Sequence, residues 1–263
     1  RQRQMCIRDR SGAEYERRKI PYEDVFPMLY LKYRLEGGNH SHKNIKHLVI
    51  DEMQDYSRLQ YLIIRRMFSC KMTILGDRAQ TMADHQQDVL QFLPGIFGKD
   101  LRRIEMRKSY RNTVEIASYA ANLIGVTDLE LFERHGMPVL ERDVTDLEAA
   151  LREAVDTLFP DEKTYETAAV IVPDEKTAER AYLILREILA EKDFDCGKRL
   201  SWLNRDSSSF KKGLTVTTFY LAKGLEFDQV FSIFPKDEKR EIMMQAQYIA
   251  ATRALHELRV YHI

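Results

Sequence analysis

Short apolar runs alternating with helical patterns constrain this chain more than any other feature. IKHLVID and KMTILGD flank LQYLIIRRMF, whose apolar residues recur at helical spacing. A strand, a helix and a further strand in that order predict a parallel α/β sheet, since parallel strands need a crossover between them. The order recurs downstream. A helix is expected over about Thr113–Ile124 and another over residues 146–158 (DLEAALREAVDTL). AAVIVP, residues 168–173, reads as a buried strand leading into a helix over 175–190. LTVTTF and DQVFSIF read as two more strands, and a helix around residues 243–254 leads into LRVYHI. Residues 14–36 carry a helical pattern interrupted by Pro21 and Pro27 and ended by Gly37-Gly38-Asn39. Asp193 to Lys212 reads as a polar loop holding the lone Trp202. A boundary near residues 105–115 divides the chain into two α/β halves, 11–112 and 113–263. The first ten residues, RQRQMCIRDR, are polar and patternless, read as an artefact or a disordered end, and are set aside from the fold.

A chain of 263 residues can bury one large core or two smaller ones. The 41 basic and 41 acidic side chains cancel, so any nucleic-acid binding must come from local patches. Cys6, Cys70 and Cys196 are few, odd in number and far apart. They make no disulfide framework and point to a reducing, cytoplasmic setting. No apolar run approaches the length of a membrane span, and no signal-peptide pattern is present, so no membrane partner is expected.

In doubly wound sheets, ligands gather at the carboxyl ends of the strands. The polar residues fall there. HLVI runs into Asp51-Glu52, with Asp55 close behind, and KMTIL ends at Gly76-Asp77 with Gln80 three residues on. LTVTTF leads to Lys223-Gly224-Leu225-Glu226, and the helix before the last strand carries Thr252-Arg253. Each feature alone has a plainer reading. An acidic pair can be a polar turn, Gly76-Asp77 a bend, Lys223-Gly224 a helix stop, and Arg253 a solvated or salt-bridged arginine.

Their order and spacing are more specific. DEMQD resembles the Walker B motif of superfamily 1 helicases of the UvrD/Rep type, whose pattern is DExQD. GDRAQ is similar to their third motif, SYRN to their fourth, AKGLEFD to their fifth and YIAATRA to their sixth, in the family's order. The wording IDEMQDYS, YLAKGLEFD and ATRALHEL is closest to the HelD branch. The resemblance implies two RecA-like lobes with a P-loop NTPase fold, the first incomplete here. It implies ATP and Mg²⁺ as cofactors. Asp51 would hold the Mg²⁺, since a hard cation prefers oxygen ligands. Glu52 would be the general base toward the attacking water. Gln80 would sense the γ-phosphate, Tyr110 would lie against adenine, and Arg111 and Arg253 would meet the γ-phosphate. Gly224 and Glu226 would meet the ribose and phosphate region. The activity implied is an ATP-dependent DNA helicase or translocase, of 3′-to-5′ polarity, on single-stranded or partly duplex DNA. The HelD branch implies RNA polymerase as an alternative partner, and a binding module without catalysis is a third reading.

The chain departs from the family at three places. Tyr220 stands where the helicases have a histidine three residues before the fifth-motif lysine, here Lys223. Thr81, Met82 and Ala83 follow Gln80 where many relatives place a base-stacking aromatic. No GxxxxGK[ST] occurs, and Gly37-Gly38 lacks its spacing, so the chain is expected to be a carboxyl-terminal fragment inactive by itself. The stretch from Arg111 to Leu214 leaves no room for the large second-lobe insertion of UvrD and Rep.

Other residues draw plainer readings. His40, His42 and His47 fit no standard metal spacing. Arg65-Arg66, Arg102-Arg103 and Lys211-Lys212 read as solvated faces, and Met243-Met244 as core filling. Trp202 either anchors its loop or faces a partner.

Overall fold

The computed structural model describes residues 20–37, 42, 44–77, 80, 88–98, 101–106, 108–127, 130–158, 165–192, 195–205, 207, 212–236 and 241–263. Residues 1–10, Gly38-Asn39, His40, Thr81–Ala83 and Lys211 lie outside the described residues. Two compact units divide the chain, with the second beginning its main run at Ile104. The class is α/β with parallel sheets, as expected.

The first unit holds helix α1 (Tyr22–Leu35), strand β1 (His47–Ile50), helix α2 (Arg58–Met67), strand β2 (Lys71–Ile74) and helix α3 (Val89–Phe97). β1 and β2 pair in parallel with Ile50 opposite Ile74, which brings their carboxyl ends side by side. Ser57 caps α2. Its hydroxyl accepts from the Gln60 N–H, and the Gln60 side chain accepts from the Ser57 N–H, closing a capping box. Ile50, Tyr61, Val89, Phe92 and Leu93 form the core of this unit.

The second unit is built on a parallel sheet of six described strands. The strands are β5 (Leu140–Asp143), β6 (Thr167–Val172), β7 (Leu200–Trp202), β8 (Gly213–Thr218), β9 (Phe227–Phe234) and β10 (Ala254–His262), in the order β5-β10-β9-β6-β8-β7. A minor ribbon pairs β3 (Lys108–Ser109) with β4 (Glu130–Leu131). Side chains on β6 alternate between two cores, as a twofold period requires. Ala168, Val170 and Val172 pack with helices α5 (Leu147–Asp156) and α6 (Glu175–Ala190). Ala169 and Ile171 pack with helices α4 (Val114–Leu123) and α8 (Glu241–Ala251). Burial on both faces explains why these strands are continuously apolar rather than alternating. Among the described residues no helix is long and apolar enough to cross a membrane.

Three expectations need correction. Pro21 does not interrupt the first helix but sits at its N-cap, where a missing N–H costs nothing; Pro27 lies inside the helix. The supposed loop from Asp193 to Lys212 contains a short helix, α7 (Cys196–Arg199), and strand β7. β7 pairs in parallel with β8, Ser201 Oγ lies 3.0 Å from Thr215 Oγ1, and Trp202 stacks on Tyr182 of α6. Trp202 is thus an anchor within its own unit. The last helix ends at Ala251, so Arg253 lies in the turn between α8 and β10 rather than on a helix.

Candidate functional site

In the first unit the chain leaves β1 through an unusual backbone. Glu52 has φ 53° and ψ 49°, the left-handed region, where a non-glycine residue carries strain. Its N–H donates to Asp51 Oδ1 at 2.8 Å, which fixes the Asp51 carboxylate at the strand end. A single 3₁₀ turn follows, Met53–Asp55. The Met53 N–H donates to the Leu75 carbonyl, the Leu75 N–H to the Ile50 carbonyl, and the buried Tyr61 hydroxyl to the Met53 carbonyl at 3.0 Å. Burial and the nearby Asp55 and Tyr56 push the Tyr61 phenol well above its ordinary range, so it stays a neutral donor.

The turn lies directly over Gly76. A Cβ there would come within 2.6 Å of the Met53 nitrogen and closer still to the Gln54 side-chain oxygen, so only glycine lets the strand ends approach. Gln54, which sequence reasoning left unassigned, is buried between them. Its side-chain N–H donates to Glu52 Oε2 at 2.6 Å and its carbonyl accepts from the Asp77 N–H at 3.1 Å. Gln80 Nε2 then donates to Asp77 Oδ2 at 3.0 Å. Asp51, Glu52 and Gln80 are therefore gathered at one end of one sheet. Its place as the fourth letter of DEMQD marks its position in the sequence but not its partners or its role.

In the second unit three sequence stretches converge. Arg111 Nε meets Glu226 Oε1 at 2.7 Å, both side chains about half exposed. Asn112 is buried, and its amide donates to the Ala254 carbonyl at 2.6 Å and the Thr252 carbonyl at 3.3 Å. SYRN is thereby tied to ATRA. Arg253 is only 2% exposed. Its Nε donates to the Ile249 carbonyl at 3.2 Å, Nη1 to the Leu225 carbonyl at 3.5 Å and Nη2 to Thr252 Oγ1 at 3.0 Å. The Phe227 N–H donates back to the Arg253 carbonyl. Glu257, four residues further on, pairs with Arg259 at 2.7 Å. Gly224 adopts φ 80° in the turn after β8, with open space where a Cβ would stand. Tyr110 is 61% exposed and packs against Phe132 with ring centres 5.6 Å apart. Lys108 Nζ lies 5.5 Å from the Tyr110 ring centre.

The remaining sequence candidates are accounted for locally. His47 Nε2 lies 2.8 Å from Thr73 Oγ1 and His42 stacks on Phe68. Tyr220, at the histidine position of the helicases, packs edge-on to Phe219 and lies under the Arg205 guanidinium, which also meets Glu175 at 2.8 Å. Among the described residues no group of three His, Cys, Asp or Glu could hold a metal by itself.

No curated protein sequence matches the chain. Among solved structures it is similar to the carboxyl-terminal domain of a possible DNA helicase from Lactobacillus plantarum WCFS1, at 24% identity and TM-score 0.45, over 59% of this chain and 88% of that one. It is similar to the helicase of PRRSV at 18% identity and TM-score 0.46, over 87% of this chain and 36% of that one. It is also similar to arterivirus nonstructural protein 10, a helicase solved with DNA, at 14% identity and TM-score 0.43, over 82% of this chain and 39% of that one. The chain thus spans well under half of either viral helicase. Residues 25–86, which hold β1, β2, Asp51, Glu52 and Gln80, match the family described as the UvrD/REP helicase N-terminal domain.

Proposed function

We propose that this chain belongs to the motor of a UvrD-like, ATP-dependent DNA helicase or translocase. The phosphate-cradling loop would come from sequence outside these 263 residues. The observation that carries the reading is the clustering of the helicase-like stretches. DEMQD and GDRAQ meet at one sheet end, and SYRN, AKGLEFD and ATRA are hydrogen-bonded together in the second unit. ATP with Mg²⁺ is the cofactor pair, and single-stranded or partly duplex DNA the partner, in a cytoplasmic setting.

The oxygen donors at the end of β1 suit a hard cation that keeps most of its water and phosphate ligands. Asp51 would hold it, and a bound Mg²⁺ would neutralise charge on the phosphates. Glu52 would take a proton from the water whose oxygen bonds the γ-phosphorus as the bond to the bridging oxygen of ADP breaks. Gln80 would read the γ-phosphate. Arg111, held ready by Glu226, and Arg253 would supply fixed positive charge to the transferring group. Tyr110 would offer its exposed face to adenine, and Gly224 would let phosphate or ribose approach bare backbone.

Glu52→Gln tests the reading in the enzyme expressed from its complete gene. The change keeps shape and removes the base, so turnover should fall at least about a hundredfold while ATP binding stays within about threefold. Turnover retained within about threefold would remove Glu52 from the chemistry. Comparing DNA with RNA polymerase as the stimulating partner separates the helicase reading from the HelD-like one, which rests on the wording of YLAKGLEFD and ATRALHEL.

A further inference from the structure

We infer that Gln54 is a positioning residue. It fixes the orientation of Glu52 and links it, through Asp77, to Gln80. This inference rests on the reading of Glu52 as base and Gln80 as γ-phosphate sensor.

A side-chain amide carries a donor at one end and an acceptor at the other. An ionised carboxylate only accepts and a backbone N–H only donates, so the two neighbours of Gln54 demand opposite ends of its side chain. The NH₂ must face Glu52 Oε2, 2.6 Å away, and the carbonyl must face the Asp77 N–H, 3.1 Å away. That pairing leaves one orientation of the amide. The side chain is 1% exposed, and the space beside it is closed enough that a Cβ on Gly76 would stand 2.4 Å from its oxygen. Gln54 therefore cannot swing aside without moving the strand ends.

Asp77 is tied to both glutamines. Its backbone N–H is held by Gln54, its Oδ2 accepts from Gln80 Nε2 at 3.0 Å, and its carbonyl accepts from the Gln80 N–H at 3.1 Å. A phosphate that draws Gln80 toward itself acts on Asp77, and through the Gln54 amide on the Glu52 carboxylate. Glu52 needs such support, because its backbone is held in the left-handed region. The plainer alternative is that Gln54 only ties β1 to β2, which would affect stability and nothing else.

Two substitutions separate these roles in the enzyme from the complete gene. Gln54→Met keeps length and removes both hydrogen bonds. Gln54→Glu keeps volume and an acceptor for Asp77 but loses the donor to Glu52. In each, kcat should fall at least about tenfold with KM for ATP within about twofold, because the lost interaction orients the base rather than binding nucleotide. The double variant Gln54→Met with Gln80→Ala should be no more than about twofold worse than the poorer single, the mark of groups acting as one unit. In this 263-residue chain, the Asp77 amide hydrogen should exchange at least about tenfold faster in Gln54→Met than in the parent. That readout needs no turnover. Normal kcat per folded molecule, fully multiplicative losses or unchanged Asp77 exchange would each overturn the inference. Glu52→Gln run alongside distinguishes the failures. If it retains turnover, the functional reading fails and takes this inference with it; if it abolishes turnover while both Gln54 variants remain normal, only the inference fails.

Discussion

Glu115 shows how one residue can set the acid behaviour of a segment beside the SYRN stretch. It sits in the first turn of α4, where the Thr113 hydroxyl caps the helix. Its Oε1 meets His135 Nδ1 at 2.9 Å and its Oε2 accepts from the Gly136 N–H at 2.9 Å. The His135 contact first, then backbone amides, lower its pKa from 4.5 to about 2. A carboxyl depressed on folding stabilises fully above its unfolded value and loses that contribution as pH falls through its folded value. The contribution of Glu115 should therefore be intact above pH 4.5 and disappear progressively toward pH 2. Thermal unfolding of parent and Glu115→Gln should show a gap at pH 6 that narrows steadily below about pH 4.5. A gap that stays constant with pH would contradict the assignment. The same scale explains why Asp51, Glu52 and Gln80 could be picked from sequence while Gln54 could not. The first three are polar groups at strand ends, a position that sequence order reveals. The role of Gln54 depends on which two donors and acceptors face it across 23 residues.

At the scale of elements, the tie between the start of α4 and the start of β10 is one buried amide. Asn112 donates to two carbonyls that flank Arg253, so it holds the turn that carries the buried arginine. Asn112→Ala would strand both acceptors and should lower stability by about 1–3 kcal/mol, measurable by denaturant unfolding. An unchanged midpoint would show that the tie is idle. The long buried elements were legible in the sequence. β6, β8 and β9 announce themselves because both faces are covered, and α6 was anticipated at Glu175–Ala190 because its apolar stripe is long. β7 was not, since Leu200, Ser201 and Trp202 show no strand period and become a strand only by pairing with β8. The end of α8 was misplaced because ALHELRVYH continues apolar residues past the helix, and the sheet rather than local propensity claims them. Arg253 then moved from a helix face to a turn, where it is buried instead of solvated.

For the whole molecule, Glu52 and Gln80, the proposed base and sensor, lie in one compact unit, and Arg111 and Arg253 in the other. Phosphoryl transfer relies on positioning and charge stabilisation supplied together. The most direct measurement is ATP turnover by the enzyme from the complete gene, with and without single-stranded DNA, in the parent and in Arg253→Ala. The parent's turnover should be stimulated by DNA, and Arg253→Ala should lose about a thousandfold with ADP affinity nearly unchanged. Turnover indifferent to both DNA and Arg253→Ala, or no turnover at all, would contradict the proposed function.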